Sequence, residues 1–430
     1  MTISEENNFS DINKDEDVFV FPTSYGQKRM WFLDQFEPNS PYYNIPVAFK
    51  ITGKFQKQFF MQTINKIIER HESLRTTFAN VKGEPFQVIS PELKINIPLI
   101  DLLSHDRNSI DQEVKNIAVK EARAPFDLAT GPLFRVKLLR LSEFDHVVLI
   151  TMHHIISDGW SMGILVSEIT SIYSSLISGN LIDLPELEIQ YADFSEWQNN
   201  YLTGEILDMQ LNYWKNQLGD SNSLLEIPTD RPRKAVYTNN GSSIERILSK
   251  KIIFSLQQIS NKENASLFMT LVTAFNILLF RYSGQDDINI GTPIANRTDK
   301  EIEKIIGLFI NTLVIRTDLS NNPTFLELLR KVRKINLEAF EHQDLPFEML
   351  VDAIQPERDM SYAPLFQVMF ILQNNPVSTT NLAEIEVSMI DVDMGTSTSD
   401  ITYTLSTSKD GASCAIEYNT DLYDESTIQR

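Results

Sequence analysis

The sequence predicts a mixed α/β protein, α/β in class with α+β character, folded as two similar lobes. Three observations carry this. A chain of 430 residues exceeds the usual size of one hydrophobic core. A β-branched apolar run, His146–Met152, leads within a few residues into a helical pattern in which Met162, Leu165, Ile169, Ile172 and Leu176 recur at steps of three and four. Pro125-Phe126-Asp127 followed by Pro132-Leu133-Phe134-Arg135-Val136 returns in the same order as Pro346-Phe347-Glu348 followed by Pro364-Leu365-Phe366-Gln367-Val368, once in each half.

Along the chain, residues 1–17 carry Glu5, Glu6, Asp11, Asp15, Glu16 and Asp17 against Lys14 and predict an acidic, disordered tail without the features of a signal peptide. An N-terminal lobe is expected over 18–180. It opens with Pro22–Gln27, a turn with a capping Thr or Ser before a helix, and continues through Phe60, Ile64 and Ile67 at helical spacing up to Arg70. Gly179, Pro185, Gly219, Pro228, Pro232 and Gly241 punctuate a crossover at 181–240 between two tryptophan-containing helical stretches. A C-terminal lobe follows over 241–430. Its most apolar helix, Leu267–Tyr282, is interrupted by Thr270, Thr273 and Asn276 and is shorter than the roughly 20 residues that span a bilayer, so it predicts a buried core helix and no membrane.

Composition narrows the function. Hydrophobic residues make up 42% and charged residues 22%, an ordinary globular balance. The net charge of −20 repels phosphate backbones and anionic lipids, which argues against nucleic acid as a partner. A single cysteine, Cys414, allows no intramolecular disulfide or thiolate cluster and fits a reducing compartment, the cytoplasm. Neither a Gly-x-Gly-x-x-Gly nor a Gly-Lys-Ser/Thr string occurs, so nucleotide chemistry has no support.

The histidines point to one place. Of six (His71, His105, His146, His153, His154 and His342), two are adjacent and followed by Asp158-Gly159. At the end of a strand, neighbouring side chains face opposite ways, so one ring enters the interior and the other faces a cleft. As a metal site the stretch lacks a third ligand at convincing spacing. Two satisfied core histidines are a second reading. The third, which we favour, is a neutral imidazole accepting a proton or hydrogen bond from an attacking amine or hydroxyl, with Asp158 fixing the turn through an arginine and Gly159 admitting substrate close to the backbone. A rival lies in Gly159-Trp160-Ser161-Met162-Gly163, which matches the serine hydrolase elbow; Ile155–Asp158 intervene between strand and elbow, however, and only His342 lies downstream.

With these residues in view the chain resembles the condensation domains of nonribosomal peptide synthetases from about Val18 to Arg430. Beyond His153–Gly159, the strings Ser24–Trp31, Arg70–Phe78, Tyr191–Trp197, Ile306–Thr312, His342–Glu348 and Arg358–Leu365 are similar to the family's motifs in order. The resemblance implies two chloramphenicol-acetyltransferase-like lobes in a V-shaped pseudo-dimer with a central tunnel. It implies amide bond formation between a donor thioester and the amine of an acceptor aminoacyl thioester. Both are delivered on phosphopantetheine arms by partner carrier domains, beside an adenylation domain of a larger synthetase, and the domain itself binds no cofactor and is monomeric when isolated.

Carried over by the resemblance, His154 positions or deprotonates the acceptor amine, His153 is mainly structural, Asp158 pairs with Arg297 or, second, Arg75, and Gly159 flanks the thioester. Trp160, Ser161 and Asn311 are candidates for the tunnel. The strings around Leu33–Pro38 and Gln355–Asp359 look most like the subtype joining an L-donor to an L-acceptor. Gly26 stands where alanine is usual and Tyr362 where arginine is common, and Arg430 precedes the end of the family's usual last helix. A non-catalytic recruitment module of the same fold remains the alternative, beside a serine hydrolase using Ser161.

Overall fold

Elements follow one another as β1 (Phe19–Pro22), α1 (Tyr25–Phe36), β2 (Asn44–Gly53), α2 (Lys57–Arg70), β3 (Thr76–Val81), β4 (Glu84–Ile89), β5 (Leu99–Asp101), α3 (Arg107–Ala122), β6 (Phe134–Arg140), β7 (Asp145–His153), α4 (Gly159–Ser178) and α5 (Tyr191–Tyr201). After α5 come α6 (Gly204–Leu218), β8 (Gly241–Ser249), α7 (Lys250–Lys262), α8 (Leu267–Ser283), β9 (Asp287–Ile294), β10 (Asn311–Asp318), α9 (Phe325–Glu341), α10 (Phe347–Ile354), β11 (Val368–Gln373), β12 (Ile385–Ile390), β13 (Ile401–Ser408), β14 (Gly411–Asn419) and α11 (Glu425–Gln429). This computed structural model describes residues 18–104, 107–221, 224–355, 359–373, 385–390, 392–408 and 411–430. The tail expected at 1–17, His105 and the motif positions Pro356, Glu357 and Arg358 lie outside the described residues.

The chain divides into two compact units. The first holds the described residues of Met1–Tyr201, Arg297–Phe309 and Val377–Met394, and the second those of Leu202–Asn296, Ile310–Pro376 and Gly395–Arg430.

In the first unit a five-stranded sheet runs β12-β2-β7-β6-β5, beside a three-stranded sheet β1-β4-β3. β7 is flanked by β2 and β6 along its length and every residue after Asp145 is buried, so it reads as a continuous apolar run instead of an alternation. α2 offers Phe60, Ile64, Ile67 and Ile68 to the core, where α4 adds Leu165 and Ile172. Packing of that apolar face, at about 1.5–3 kcal/mol per large aliphatic side chain, holds α2 in place where isolated helix propensity would not. α4 runs from Asp158 as N-cap to Gly179, whose φ of 67° supplies the left-handed C-terminal stop.

The apolar stripe expected on α4 faces the core, and the buried face is wider than the stripe. Its buried positions are Ser161, Leu165, Glu168, Ile172 and Tyr173, with Met162, Ile169 and Leu176 packed partly against the same core. Ser161 and Glu168 widen that face because each has polar partners in the interior, described below.

In the second unit the six-stranded sheet runs β10-β9-β11-β13-β14-β8. Val272 and Leu279 of α8 and Leu329 and Val332 of α9 pack with Ile288, Ile290, Val368 and Phe370 of the strands. α8, capped by Ser266 and stopped by Gly284, is the core helix expected at 267–282. Among the described residues no single helix is long and apolar enough to cross a membrane. The repeated Pro-Leu-Phe strings both lead into strands, but β6 pairs antiparallel with β7 while β11 pairs parallel with β9 and β13. The repeated strings therefore do not occupy equivalent places in the ladders.

Candidate active site

β7 ends at His153, a single 3-10 turn covers His154–Ile156, and α4 starts at Gly159. The two histidines differ because they straddle that change. His153, 2% exposed, lies edge-on to the rings of Tyr43 and Phe126, and its Nδ1 accepts from the Ile155 N–H at 3.2 Å. Burial, followed by the neighbouring charges of His154 and Arg135, lowers its pKa to about 3, so it is neutral at physiological pH.

His154 is only partly buried. Its backbone N–H donates to the Tyr43 carbonyl at 2.8 Å, and its Nδ1 lies 2.8 Å from the Ser157 carbonyl oxygen. A carbonyl can only accept, so Nδ1 carries the hydrogen and, in the neutral ring, Nε2 carries the lone pair.

Asp158 is 1% exposed and holds the turn through both oxygens. Oδ1 accepts from the Ser161 N–H at 2.8 Å, capping α4, from Ser161 Oγ at 2.7 Å and from Arg297 Nη2 at 3.1 Å. Oδ2 accepts from the Phe309 N–H at 3.0 Å and from the same Nη2 at 3.3 Å. Arg297 also donates through Nη1 to the carbonyls of Ile302 at 2.5 Å and Ile305 at 2.7 Å, and its guanidinium lies 4.1 Å from the centre of the Phe309 ring. Burial lowers its pKa and the Asp158 carboxylate opposes that shift. The segment 297–309 is thus tied at both ends to one carboxylate.

Arg75 is elsewhere, donating to Ser90 O at 2.5 Å and to Glu72 at 3.2 Å. Ser161 is fully buried and its Oγ meets Asp158, Arg297 at 3.0 Å, and Gly307 O and N at 3.0 and 3.1 Å. A hydroxyl enclosed by these partners has no imidazole beside it among the described residues, which argues against the hydrolase elbow. Trp160 donates from Nε1 to Glu303 O at 2.9 Å. Asn311, in the second unit, has its side chain consumed by Gln343 O and Leu345 O at 2.9 and 2.8 Å and by the Phe347 N–H at 3.0 Å, so it shapes that loop. Gly159 is exposed, and a Cβ there would meet nothing within 4 Å.

Tyr191 and Gly307 lie within the family-like strings, yet nothing in the sequence marks either for a role. A Cβ on Gly307 would come 2.0 Å from Tyr191 Cδ2, so the glycine is required by that ring. The Tyr191 hydroxyl donates to Leu308 O at 2.7 Å and meets Ser24 Oγ at 2.8 Å. Behind the turn, His71 Nε2 meets Glu168 at 3.0 Å, Arg70 meets the same carboxylate at 2.9 Å, and His71 Nδ1 accepts from the Ile306 N–H at 3.4 Å. Burial raises the Glu168 pKa, but the partners His71 and Arg70 outweigh it and hold the carboxyl below its usual range. Among the described residues no group of three or more His, Cys, Asp or Glu side chains converges to hold a metal.

A partly exposed imidazole with one nitrogen held as donor and the other left as acceptor, on a turn braced by a buried ion pair, has the chemistry to accept a hydrogen bond or a proton from a neighbouring group. Comparison with known proteins gives the family: the condensation domain family model matches residues 19–430. A linear gramicidin synthase of Brevibacillus parabrevis is 45% identical over 411 residues, covering 95% of this chain and 8% of that protein. Malpinin synthetase of Mortierella alpina is 40% identical over 421 residues, 97% of this chain and 5% of that protein. The chain thus spans less than a tenth of the length of these curated relatives. Among solved structures, the X-domain from teicoplanin biosynthesis superposes with a TM-score of 0.85 at 24% identity, covering 99% of this chain and 93% of that one. The first condensation domain of the CDA synthetase gives 0.80 at 16% identity, with 96% and 94% covered. The chain belongs to the condensation domain family, whose members are acyltransferase-type domains that form peptide bonds between carrier-bound substrates.

Proposed function

We propose that this chain joins a donor acyl or peptidyl thioester to the amine of an acceptor aminoacyl thioester, both held on phosphopantetheine arms of carrier domains, within a larger cytoplasmic synthetase that also carries an adenylation domain. The observation that supports His154 as the working residue is its Nδ1–H···O=C bond to Ser157 at 2.8 Å, which leaves Nε2 as the acceptor on a partly exposed ring. The acceptor nitrogen attacks the donor carbonyl. The new C–N bond forms as the C–S bond breaks, and the proton leaving nitrogen passes by way of His154 Nε2 to the departing thiolate.

In this reading His153, neutral and packed between Tyr43 and Phe126, supports the strand end. Asp158 and Arg297 keep the turn rigid, and Gly159 lets the thioester approach the backbone, since among the described residues none comes within 4 Å of a Cβ placed there. The substrates in this reading are an L-donor and an L-acceptor. The test supplies donor- and acceptor-loaded carrier proteins and follows the products by mass spectrometry. A dipeptidyl group on the acceptor carrier with a free thiol on the donor carrier is expected; release of free donor acid alone would contradict the proposal.

A further inference from the structure

The histidine turn is braced from a second side by the first turn of α1. Ser24 and Gln27 form a reciprocal cap: the Gln27 N–H donates to Ser24 Oγ at 3.2 Å and the Ser24 N–H to Gln27 Oε1 at 3.1 Å. Capping uses only the amide oxygen, and either Gln or Glu supplies it. Gln27 is nevertheless 1% exposed, and its Nε2 has two further partners, Gln87 Oε1 at 3.1 Å and the carbonyl oxygen of Ile155 at 3.3 Å. The orientation of the amide follows from chemistry, because Ser24 N can only donate and Ile155 O can only accept. Gln87 is in turn fixed by donating to Pro22 O at 2.8 Å and Ser195 Oγ at 3.1 Å.

Ile155 is fully buried and sits between His154 and the Ser157 carbonyl that takes the His154 Nδ1 hydrogen. We propose that Gln27 is a positioning residue for His154: its Nε2–H···O=C bond to Ile155 pins the peptide plane inside the turn, so that Ser157 O faces Nδ1 and Nε2 stays the proton acceptor. This explains why an amide and not a carboxylate occupies the third position of α1. A carboxylate satisfies the cap but offers no donor to Ile155 and sets a buried charge against its carbonyl. The inference rests on the reading of His154 as the proton acceptor. It adds the residue that selects the tautomer.

The experiment uses the full chain labelled with 15N-histidine and reads the tautomer from two-bond 1H–15N correlations at a pH where the neutral ring dominates, with His154→Ala identifying the resonance. The parent is expected to show His154 protonated at Nδ1. Gln27→Met, of similar shape but without donors, shifts it to a mixture of both tautomers. In the same variant kcat falls by roughly tenfold or more, out of the ~10²–10⁴ that a positioned general base contributes. KM stays within about twofold, measured on a carrier pair that the parent condenses. Ser24→Ala, which weakens the cap and leaves the Gln27–Ile155 contact, keeps the parent tautomer. His71 and His153 resonances report whether the unit is intact. If Gln27→Met disturbs them, Gln27→Glu, which keeps the cap acceptor, is the second variant and is expected to give the same tautomer shift. An unchanged His154 tautomer in an intact Gln27 variant, or an equal shift in Ser24→Ala, overturns the proposal. Failure of the underlying reading shows separately, as full activity of His154→Ala.

Discussion

Asp158 and Arg297 meet at 3.1 Å with side chains only 2% and 1% exposed, an ion pair withdrawn from water at the foot of the turn that carries His154. Such a pair is costly to bury and costlier to break, since removing one partner leaves the other charged and unpaired. Arg297→Met is therefore expected to destabilise the first unit by about 3–5 kcal/mol in urea unfolding. Asp158→Asn combined with Arg297→Met should recover part of that loss. Additive losses in the double variant would show that the two side chains are not coupled.

His153 gives the first unit a pH dependence. Its folded pKa of about 3 lies below the value of about 6.5 expected when unfolded. Its contribution is therefore fully present above pH ~6.5 and is lost as pH falls toward the folded pKa. Between pH 7.5 and 5 the loss comes to about 2 kcal/mol. In His153→Asn, where the amide oxygen can still accept from the Ile155 N–H, the unfolding free energy should be flatter over that interval. Equal slopes in parent and variant would contradict the burial argument.

Ser161 should be inert toward serine-directed fluorophosphonates in the folded chain, because its hydroxyl is enclosed by Asp158, Arg297 and Gly307. Ser161→Ala is expected to cost about 1–3 kcal/mol by leaving buried partners unsatisfied. Covalent labelling at Ser161 with matching loss of activity would revive the hydrolase.

Two glycines separate fold from function. Gly307→Ala puts a Cβ against the Tyr191 ring and should lower the unfolding midpoint sharply. Gly159→Ala meets nothing among the described residues and should leave stability within about 0.5 kcal/mol, while lowering kcat/KM for carrier-bound substrates. A Gly159→Ala enzyme as fast as the parent would remove the thioester from that position.

The strand and helix flanking the histidines were legible because β-branched residues fill β7 and aliphatic residues recur along α4. The depth of Ser161 and Glu168 was not, since a polar residue at a helical position reads as solvent-facing until its partners are known. Arg297 lies 139 residues from Asp158, and no periodicity connects them; only the likeness of whole motifs named it. For the same reason the inclusion of Arg297–Phe309 in the first unit was invisible to hydrophobic pattern. Gly307 carried no signal of its own, because a required close approach appears only once Tyr191 is in place. The sequence offered a capping Thr or Ser in this turn and gave Gln27 no role; the contact of its amide with the Ile155 carbonyl is visible only in the fold.

The most direct measurement is the single-turnover rate of amide formation between loaded donor and acceptor carriers, parent against His154→Ala. Loss of the acceptor at Nε2 predicts a fall of roughly 10²–10⁴-fold with the unfolding midpoint little changed. A His154→Ala chain that forms the dipeptidyl product at the parent rate would contradict the account.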